Sequence, residues 1–258
     1  MARFELDQLS PEVREGLKCD LLALADSKLV LANWYVMCVH NGRSLPDFAA
    51  VLGMATASYG HTRALYLYLA NFGLDYAALE RRSAPGELNS MNLLDHPPQS
   101  WEDFVAAVFL AEQAMWTFAS GFLKNPDRPL SGLIRKIGEE SYFHLKYCEG
   151  WRAIFAQTAN PRFSEALQQR FPSAVSWFGS EKTDALHDSG VRELPVSKLR
   201  EAFIAEVSGA VQKAQLSTTL ASDDAAKSGW KLSRRRSGDV STRLFNIVQL
   251  KDAEAVHH

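Results

Sequence analysis

Apolar residues recur at intervals of three and four positions through most of the chain, which is the spacing of one face of an α-helix. One such stripe runs through Leu24, Lys28, Leu31 and Tyr35, so a lysine occupies a position that should face the core. No alternating run of apolar and polar residues is long enough to indicate a strand. The pattern therefore predicts an all-α protein. A second stripe comprises Phe104, Val108, Ala111, Met115 and Phe118.

Capping residues and prolines set the expected ends of the helices. Four long helices are predicted: Pro11 to about Val39, Ser44 to Gly73, Ser100 to about Lys124, and about Ser131 to Gln157. The stretch 75–98 between the second and third helices is rich in loop-forming residues. Shorter helices are predicted around Phe163–Trp177, Val196–Leu220 and Ser241–Leu250.

Two turns arrange the long helices as hairpins and bring polar residues to the same level. The turn at Asn41–Ser44 places His61 opposite Lys28. A second turn, which contains two prolines, places His144 opposite Glu112. Because the two residues of each pair lie nearly equidistant from their turn, antiparallel helices would hold them at one depth.

This arrangement is typical of four-helix di-metal proteins, but the set of ligands is incomplete. Such proteins use a Glu from each of two helices and a Glu-x-x-His motif from each of the other two. The positions three residues before the histidines are Ser58 and Ser141, and Lys28 stands where the first helix should supply a carboxylate. Glu112 is in place. A di-iron centre needs about four carboxylates and two imidazoles, so the sequence favours a metal-poor site.

A buried lysine would take over the electrostatic role of the metal ions. Its ammonium can neutralise Glu112 or Glu140, and Glu140 shares a helix face with His144, four residues on. The interpretation is a vestigial di-metal site without bound metal and without a catalytic residue in this chain. Its members are Lys28, Ser58, His61, Glu112, Glu140, Ser141 and His144.

Other interpretations remain open. In an active metal-dependent oxidase or oxygenase, His61, Glu112, Glu140 and His144 would hold the metal, with Glu149 as a further ligand. Two core histidines at matched depth can also be a coincidence. A stand-alone ligand-binding bundle would form a stable monomer or homodimer.

Composition narrows the functional classes. The 258 residues are 47% hydrophobic and 22% charged, which is typical of a soluble globular protein. A net charge of −2 gives no general attraction to nucleic acid or to anionic membranes. Three cysteines without CxxC spacing and an N-terminus without an apolar signal region predict a cytoplasmic protein. Charged and polar residues interrupt the apolar stretch Leu21–Val39, which is expected to be a buried helix and not a membrane span.

The C-terminal part of the chain changes in character. Residues 221–237 are small, polar and charged, and they include the run Arg234–Arg236. This composition predicts a mobile, solvated loop; the alternative is a docking segment for an acidic partner surface or a phosphate-bearing ligand. The chain is accordingly divided into a helical bundle over residues 1–220 and a polar, basic segment with a short helix over residues 221–258.

Several segments carry a resemblance to a known family: Leu24–Leu31, Gly60–Arg63, Asn71–Gly73, Glu140–Lys146, Gly150–Trp151 and Ala205–Val207. Over about Leu17–Leu220 the chain resembles the C subunit of bacterial phenylacetyl-CoA epoxidase, the ring-1,2 oxygenase of aerobic phenylacetate breakdown. The catalytic A subunit of that enzyme is a relative in the ferritin-like superfamily. Its metal-site pattern is similar at His61, Glu112 and His144, and its remaining glutamates correspond to Lys28, Ser58 and Ser141. The retained His61 departs from the C-subunit pattern.

The resemblance implies a ferritin-like four-helix bundle with additional C-terminal helices. It implies a non-catalytic structural subunit of a multicomponent di-iron oxygenase that acts on an aromatic acyl-CoA. No cofactor is expected in this chain, because the di-iron centre would belong to a homologous catalytic subunit. Further small subunits and a reductase are expected partners, since the chain has no flavin or iron–sulfur motif. Tyr66 and Tyr68 cannot both face one core, so one is predicted to contact a partner.

Overall fold

The computed structural model describes residues 6–179, 184–216, 220 and 229–250. Within these ranges the chain forms nine α-helices and no strand, which confirms the all-α prediction. The helices are α1 (Pro11–Cys38), α2 (Leu45–Leu69), α3 (Tyr76–Glu80), α4 (Trp101–Ser120), α5 (Arg128–Gln157), α6 (Pro161–Ser176), α7 (Ala185–Asp188), α8 (Val196–Lys213) and α9 (Thr242–Val248).

Two antiparallel hairpins, α1 with α2 and α4 with α5, form a four-helix bundle, and α6 and α8 pack against α4. This is the ferritin-like arrangement with added C-terminal helices. Helix α4 is almost entirely buried, because the bundle lies on one side of it and the added helices on the other. By length and composition α1 could cross a membrane, but 78% of its most apolar window is buried inside the protein. The prediction that Leu21–Val39 lies in a buried helix is confirmed.

The expected caps are present at the starts of the long helices. Ser10 caps α1 by accepting a hydrogen bond from the amide of Val13, and Ser44 caps α2 in the same way. Gly73 ends the second helical segment in the left-handed conformation, at φ 81°. The helix predicted to reach Lys124 ends at Ser120. The side chain of Arg192 lies 2.9 Å from the position that a Cβ on the next residue, Gly121, would take.

Asp47 links the start of α2 to the second half of α5. Its Oδ1 atom accepts hydrogen bonds from Tyr147 Oη and Trp151 Nε1, each at 3.0 Å. Its Oδ2 atom accepts from the hydroxyl of Ser44. One carboxylate therefore fixes the register between the two hairpins, and with it the depth at which facing side chains meet.

The prediction that Tyr66 or Tyr68 is exposed to contact a partner is wrong. Tyr66 and Tyr68 are both buried, because Tyr66 donates to Asp26 while Tyr68 reaches Asp127 at the start of α5. Neither tyrosine is therefore an exposed partner contact.

The arginine run does not form a solvated loop. Arg235 and Arg236 are each 1% exposed. Arg235 pairs with Asp20 on α1 at 3.0 Å and donates to the carbonyl of Phe178 at 2.6 Å. Arg236 pairs with Asp95 at 2.9 Å. A guanidinium can be buried when carboxylates and carbonyls accept hydrogen bonds from it. Here these acceptors belong to distant parts of the chain. Residues 221–228 of the same segment lie outside the described residues.

Candidate functional site

A buried ion pair occupies the centre of the bundle. Lys28 Nζ on α1 lies 2.5 Å from Glu112 Oε2 on α4, and the two side chains are 1% and 0% exposed. The second carboxylate oxygen accepts hydrogen bonds from Tyr35 Oη at 2.9 Å and from His144 Nδ1 at 2.8 Å. Both oxygens of Glu112 therefore have donors, and the charge of the buried carboxylate is balanced by an ammonium.

The surroundings keep Glu112 ionised. Burial alone would raise its pKa, but the charge of Lys28 and the hydrogen bonds from Lys28 and His144 outweigh burial and hold the pKa well below its usual range. Burial and the neighbouring carboxylate raise the pKa of Tyr35 well above its usual value. The phenol consequently remains a hydrogen-bond donor, and the cluster is a closed network of donors around one anion.

His61 lies beside this network and faces the second acidic residue. His61 Nε2 is 2.7 Å from Glu140 Oε2, and its ring centroid is 6.5 Å from that of His144. Burial, and then the charge of Lys28, lower the pKa of His61 to about 3. Glu140 is 37% exposed, so water weakens its opposing attraction. The neutral ring therefore donates from Nε2 to Glu140, and among the described residues Nδ1 has no hydrogen-bond partner.

The serines that replace the expected glutamates lie in the same place. Ser141 Oγ accepts from Lys28 Nζ at 3.4 Å. Ser58 is fully buried, and its hydroxyl has no partner within the described part of the chain. Glu149, the further ligand of the oxidase alternative, is instead on another face of α5, where it pairs with Lys146 at 2.6 Å. The structure thus brings the predicted site residues together and leaves Glu149 apart.

These residues do not fit a di-iron centre. Glu112 uses both oxygens for hydrogen bonds, and an ammonium cannot act as a metal ligand while it is protonated. A hydroxyl at Ser58 or Ser141 does not replace an ionised carboxylate in neutralising two divalent ions. Across residues 6–179, 184–216, 220 and 229–250, no group of three or more His, Cys, Asp and Glu side chains could hold a metal ion.

An apolar groove leads from the surface to His61 and Glu140. It lies between α2 and α5 and has a volume of about 970 Å³. The outer face of α2 is open here, since a Cβ on Gly53 or Gly60 would meet no atom within 4 Å. The apolar lining includes Leu45, Phe48, Leu52, Ala64 and Leu133.

Tyr35 also belongs to this site, although the sequence pattern did not predict it. The signal was present, because Tyr35 follows Lys28 by seven residues and belongs to the same predicted stripe. A polar aromatic two turns along one face points into the same region of the core. Its role as a donor depended on the position of Glu112 across the bundle, which periodicity does not supply.

Comparison with known protein families identifies the family of this chain. Residues 4–231 match a family described as phenylacetic acid catabolic protein. No curated protein matches the chain.

Proposed function

The chain belongs to the phenylacetic acid catabolic protein family, and we propose that it is the non-catalytic subunit of a multicomponent di-iron oxygenase acting on an aromatic acyl-CoA. The observation that carries this proposal is the Lys28–Glu112 pair at the position where a di-iron centre would be built. The partner is a homologous catalytic subunit that holds the iron. The chain stabilises that subunit and shapes the access to its active site.

The buried ammonium explains how the bundle can fold without metal. A lone carboxylate in the core would carry a large desolvation cost, which metal ions offset in a di-iron protein. In this chain Lys28 balances Glu112, and the neutral His61 adds no charge that needs compensation. A divalent ion near Lys28 would meet electrostatic repulsion, so the same residue that stabilises the core also disfavours metal binding.

The outer face of α2 supports a helical docking interface. Three exposed leucines, Leu45, Leu52 and Leu67, lie along this face over a length of about 33 Å. On α5, Phe143 is 69% exposed. Several exposed apolar side chains on one face are typical of a protein–protein interface, and obligate interfaces are large and apolar.

Metal content is the first test. We expect elemental analysis of the chain, expressed with ample iron and without a tag, to find less than about a tenth of an equivalent of iron or manganese. About one to two equivalents would overturn the proposal. In that case His61, Glu112, Glu140 and His144 would become the candidate ligands of an active oxidase.

A gain of metal binding would test the assignment of the site. The triple change Lys28→Glu, Ser58→Glu and Ser141→Glu supplies the missing carboxylates at buried positions. We expect this variant to bind iron and to be stabilised by it. Lys28→Met is the matched control, because it removes the ammonium without adding a ligand. Equal iron content in both variants would contradict the assignment.

Complex formation tests the role of α2. Co-expressed with its catalytic partner, the chain should elute from size exclusion in one complex. Leu52→Arg on the exposed face of α2 should break that complex, whereas Leu194→Arg, a similarly exposed leucine after α7, should not. A chain that elutes alone as a stable monomer or homodimer in the presence of the partner would contradict the subunit role.

A further inference from the structure

A second cleft lies away from the Lys28 centre, between α4, α5 and α8. Its volume is about 890 Å³. It uses a different face of α5 from the groove that leads to His61. Its lining includes the charged residues Lys146, Glu149, Arg152, Glu206 and Lys213.

Arg152 is the unusual member of this lining. Its Nε and Nη1 atoms are shielded from solvent and have no hydrogen-bond partner among the described residues. Its guanidinium carbon lies 3.9 Å from the centroid of the Phe109 ring in a cation–π contact, and the charge of Glu149 also favours the charged guanidinium. Burial lowers the pKa of Arg152, yet a guanidinium retains its proton at neutral pH.

Other buried arginines of this protein show what Arg152 lacks. Arg82 and Arg192 also leave guanidinium nitrogens unbonded, but each has an ion pair with a buried carboxylate, Asp26 and Asp20 respectively. No ion pair joins Arg152 to any described residue. Leaving a buried charged donor without an acceptor is costly, so such a group calls for a partner from outside.

One acid of the cleft is shared among its cations. Glu149 pairs with Lys146 at 2.6 Å and lies 4.0 Å from Lys213. Three cations and two carboxylates line the cleft, so a net positive charge remains. The rest of the wall, including Leu145, Ala153 and Ala210, is apolar.

We propose that this cleft binds a small ligand that carries an oxyanion, a carboxylate or a phosphate, with Arg152 as its donor. A guanidinium presents paired N–H groups that match either oxyanion. The apolar wall then contacts the remainder of the ligand. This inference does not depend on the proposed subunit role, because it uses neither the Lys28 centre nor the face of α2.

Thermal unfolding of the isolated full-length chain tests the proposal with two probes, inorganic phosphate and octanoate, at constant ionic strength. Binding to the native state raises the midpoint of unfolding, so at least one probe should raise it, and the probe that does so identifies the oxyanion. In Arg152→Met we expect the affinity for that probe to fall about tenfold or more. Arg135→Met is the matched control, since Arg135 is an exposed arginine on the same helix outside the cleft.

A second variant keeps Arg152 and obstructs the cleft. A Cβ on Gly209 of α8 would meet nothing within 4 Å, so Gly209→Phe should fold and should also abolish the shift. Binding that survives both cleft variants, or no binding of either probe to the wild type, overturns the proposal. If no probe binds but Arg152→Met releases a partner subunit, the cleft is a contact for an acidic side chain of that partner and the small-ligand proposal is wrong.

Discussion

Two buried charge clusters hold this protein together in different ways. In the bundle centre, the carboxylate of Glu112 accepts hydrogen bonds from the ammonium of Lys28, the phenol of Tyr35 and the imidazole of His144. At the C-terminal edge, Asp20 is shared by two arginines, Arg192 and Arg235, each at 3.0 Å. Glu112 is paired with one lysine, whereas Asp20 is paired with two arginines, of which Arg192 also pairs with Asp184 at 3.2 Å. Loss of one cation should therefore be more damaging in the bundle centre.

The largest effect is expected for Lys28→Met. The substitution leaves the Glu112 carboxylate fully buried without its ammonium partner, and breaking a buried pair in this way costs about 3–5 kcal/mol. Urea unfolding at pH 7 measures the loss. Lys18→Met on the same helix, which removes a partly exposed pair with Glu15, should cost less than about 1 kcal/mol.

The double variant Lys28→Met with Glu112→Gln separates charge from packing. The side-chain amide at position 112 still offers an acceptor to Tyr35 or His144, but it carries no charge. We expect it to recover most of the stability, within about 2 kcal/mol of the wild type. A double variant as unstable as the single one would show that shape, and not the unpaired charge, explains the loss.

Arg235→Met should have the second-largest effect. The substitution removes the ion pair with Asp20 and the donor to the carbonyls of Trp177 and Phe178. Because Asp20 keeps its pair with Arg192, we expect the free energy of unfolding to fall by about 2–3 kcal/mol. The neighbouring Arg234→Met is the control. It should cost about 1–2 kcal/mol, because its acidic partner Asp239 is exposed, although Arg234 also donates to the carbonyl of Leu88 and to Asn89 Oδ1. A larger cost for Arg234→Met than for Arg235→Met would mean that the buried cluster contributes no more than the contacts of Arg234.

The two clusters also differ in how far the sequence predicts them. The sequence predicts that Lys28 neutralises Glu112 or Glu140, because a lysine interrupts an apolar stripe and each hairpin brings facing residues to equal depth. These signals depend only on helical period and turn position, which are local properties of the chain.

The arginine cluster has no such local signal. Arg235 and Asp20 are separated by 215 positions in the sequence. The carbonyls that accept hydrogen bonds from Arg235 belong to the residues directly after α6, and they are free to accept because the helix ends there. From sequence alone, a run of arginines in a polar segment is predicted to be exposed to solvent, because the distant acceptors are not known. Arg152 was missed for the related reason that its important property, a missing partner, is visible only in the folded chain.

The pH dependence of stability should report on the bundle centre. The folded-state pKa of His61 is about 3 and its ordinary value is 6.5. Because the folded value is lower, the stabilisation is complete above pH 6.5 and is lost as the pH falls towards 3. The slope should be about 1.4 kcal/mol per pH unit. Glu112, whose depressed pKa starts from an ordinary value of 4.5, adds its own loss only below that pH.

The window between pH 6.5 and 4.5 therefore separates the contribution of His61 from that of Glu112. His61→Gln should flatten the dependence of the unfolding free energy on pH in this window, while the exposed His96→Gln should leave it unchanged. A slope that persists in His61→Gln would assign the proton uptake to another group.

The smallest loss of stability is expected when a tyrosine that donates to a buried carboxylate is replaced by phenylalanine. Tyr35→Phe removes one of the two donors to Glu112 Oε1, and His144 remains. Tyr66→Phe removes one donor to Asp26 Oδ1, and Arg82 remains at 3.0 Å. Each should cost about 1 kcal/mol, the usual net contribution of a hydrogen bond whose acceptor keeps another donor. In the Lys28→Met background, however, Tyr35→Phe should cost more, because the phenol then helps to stabilise an anion without a counter-charge. Additive effects of Tyr35→Phe and Lys28→Met in urea unfolding would contradict a single coupled network around Glu112.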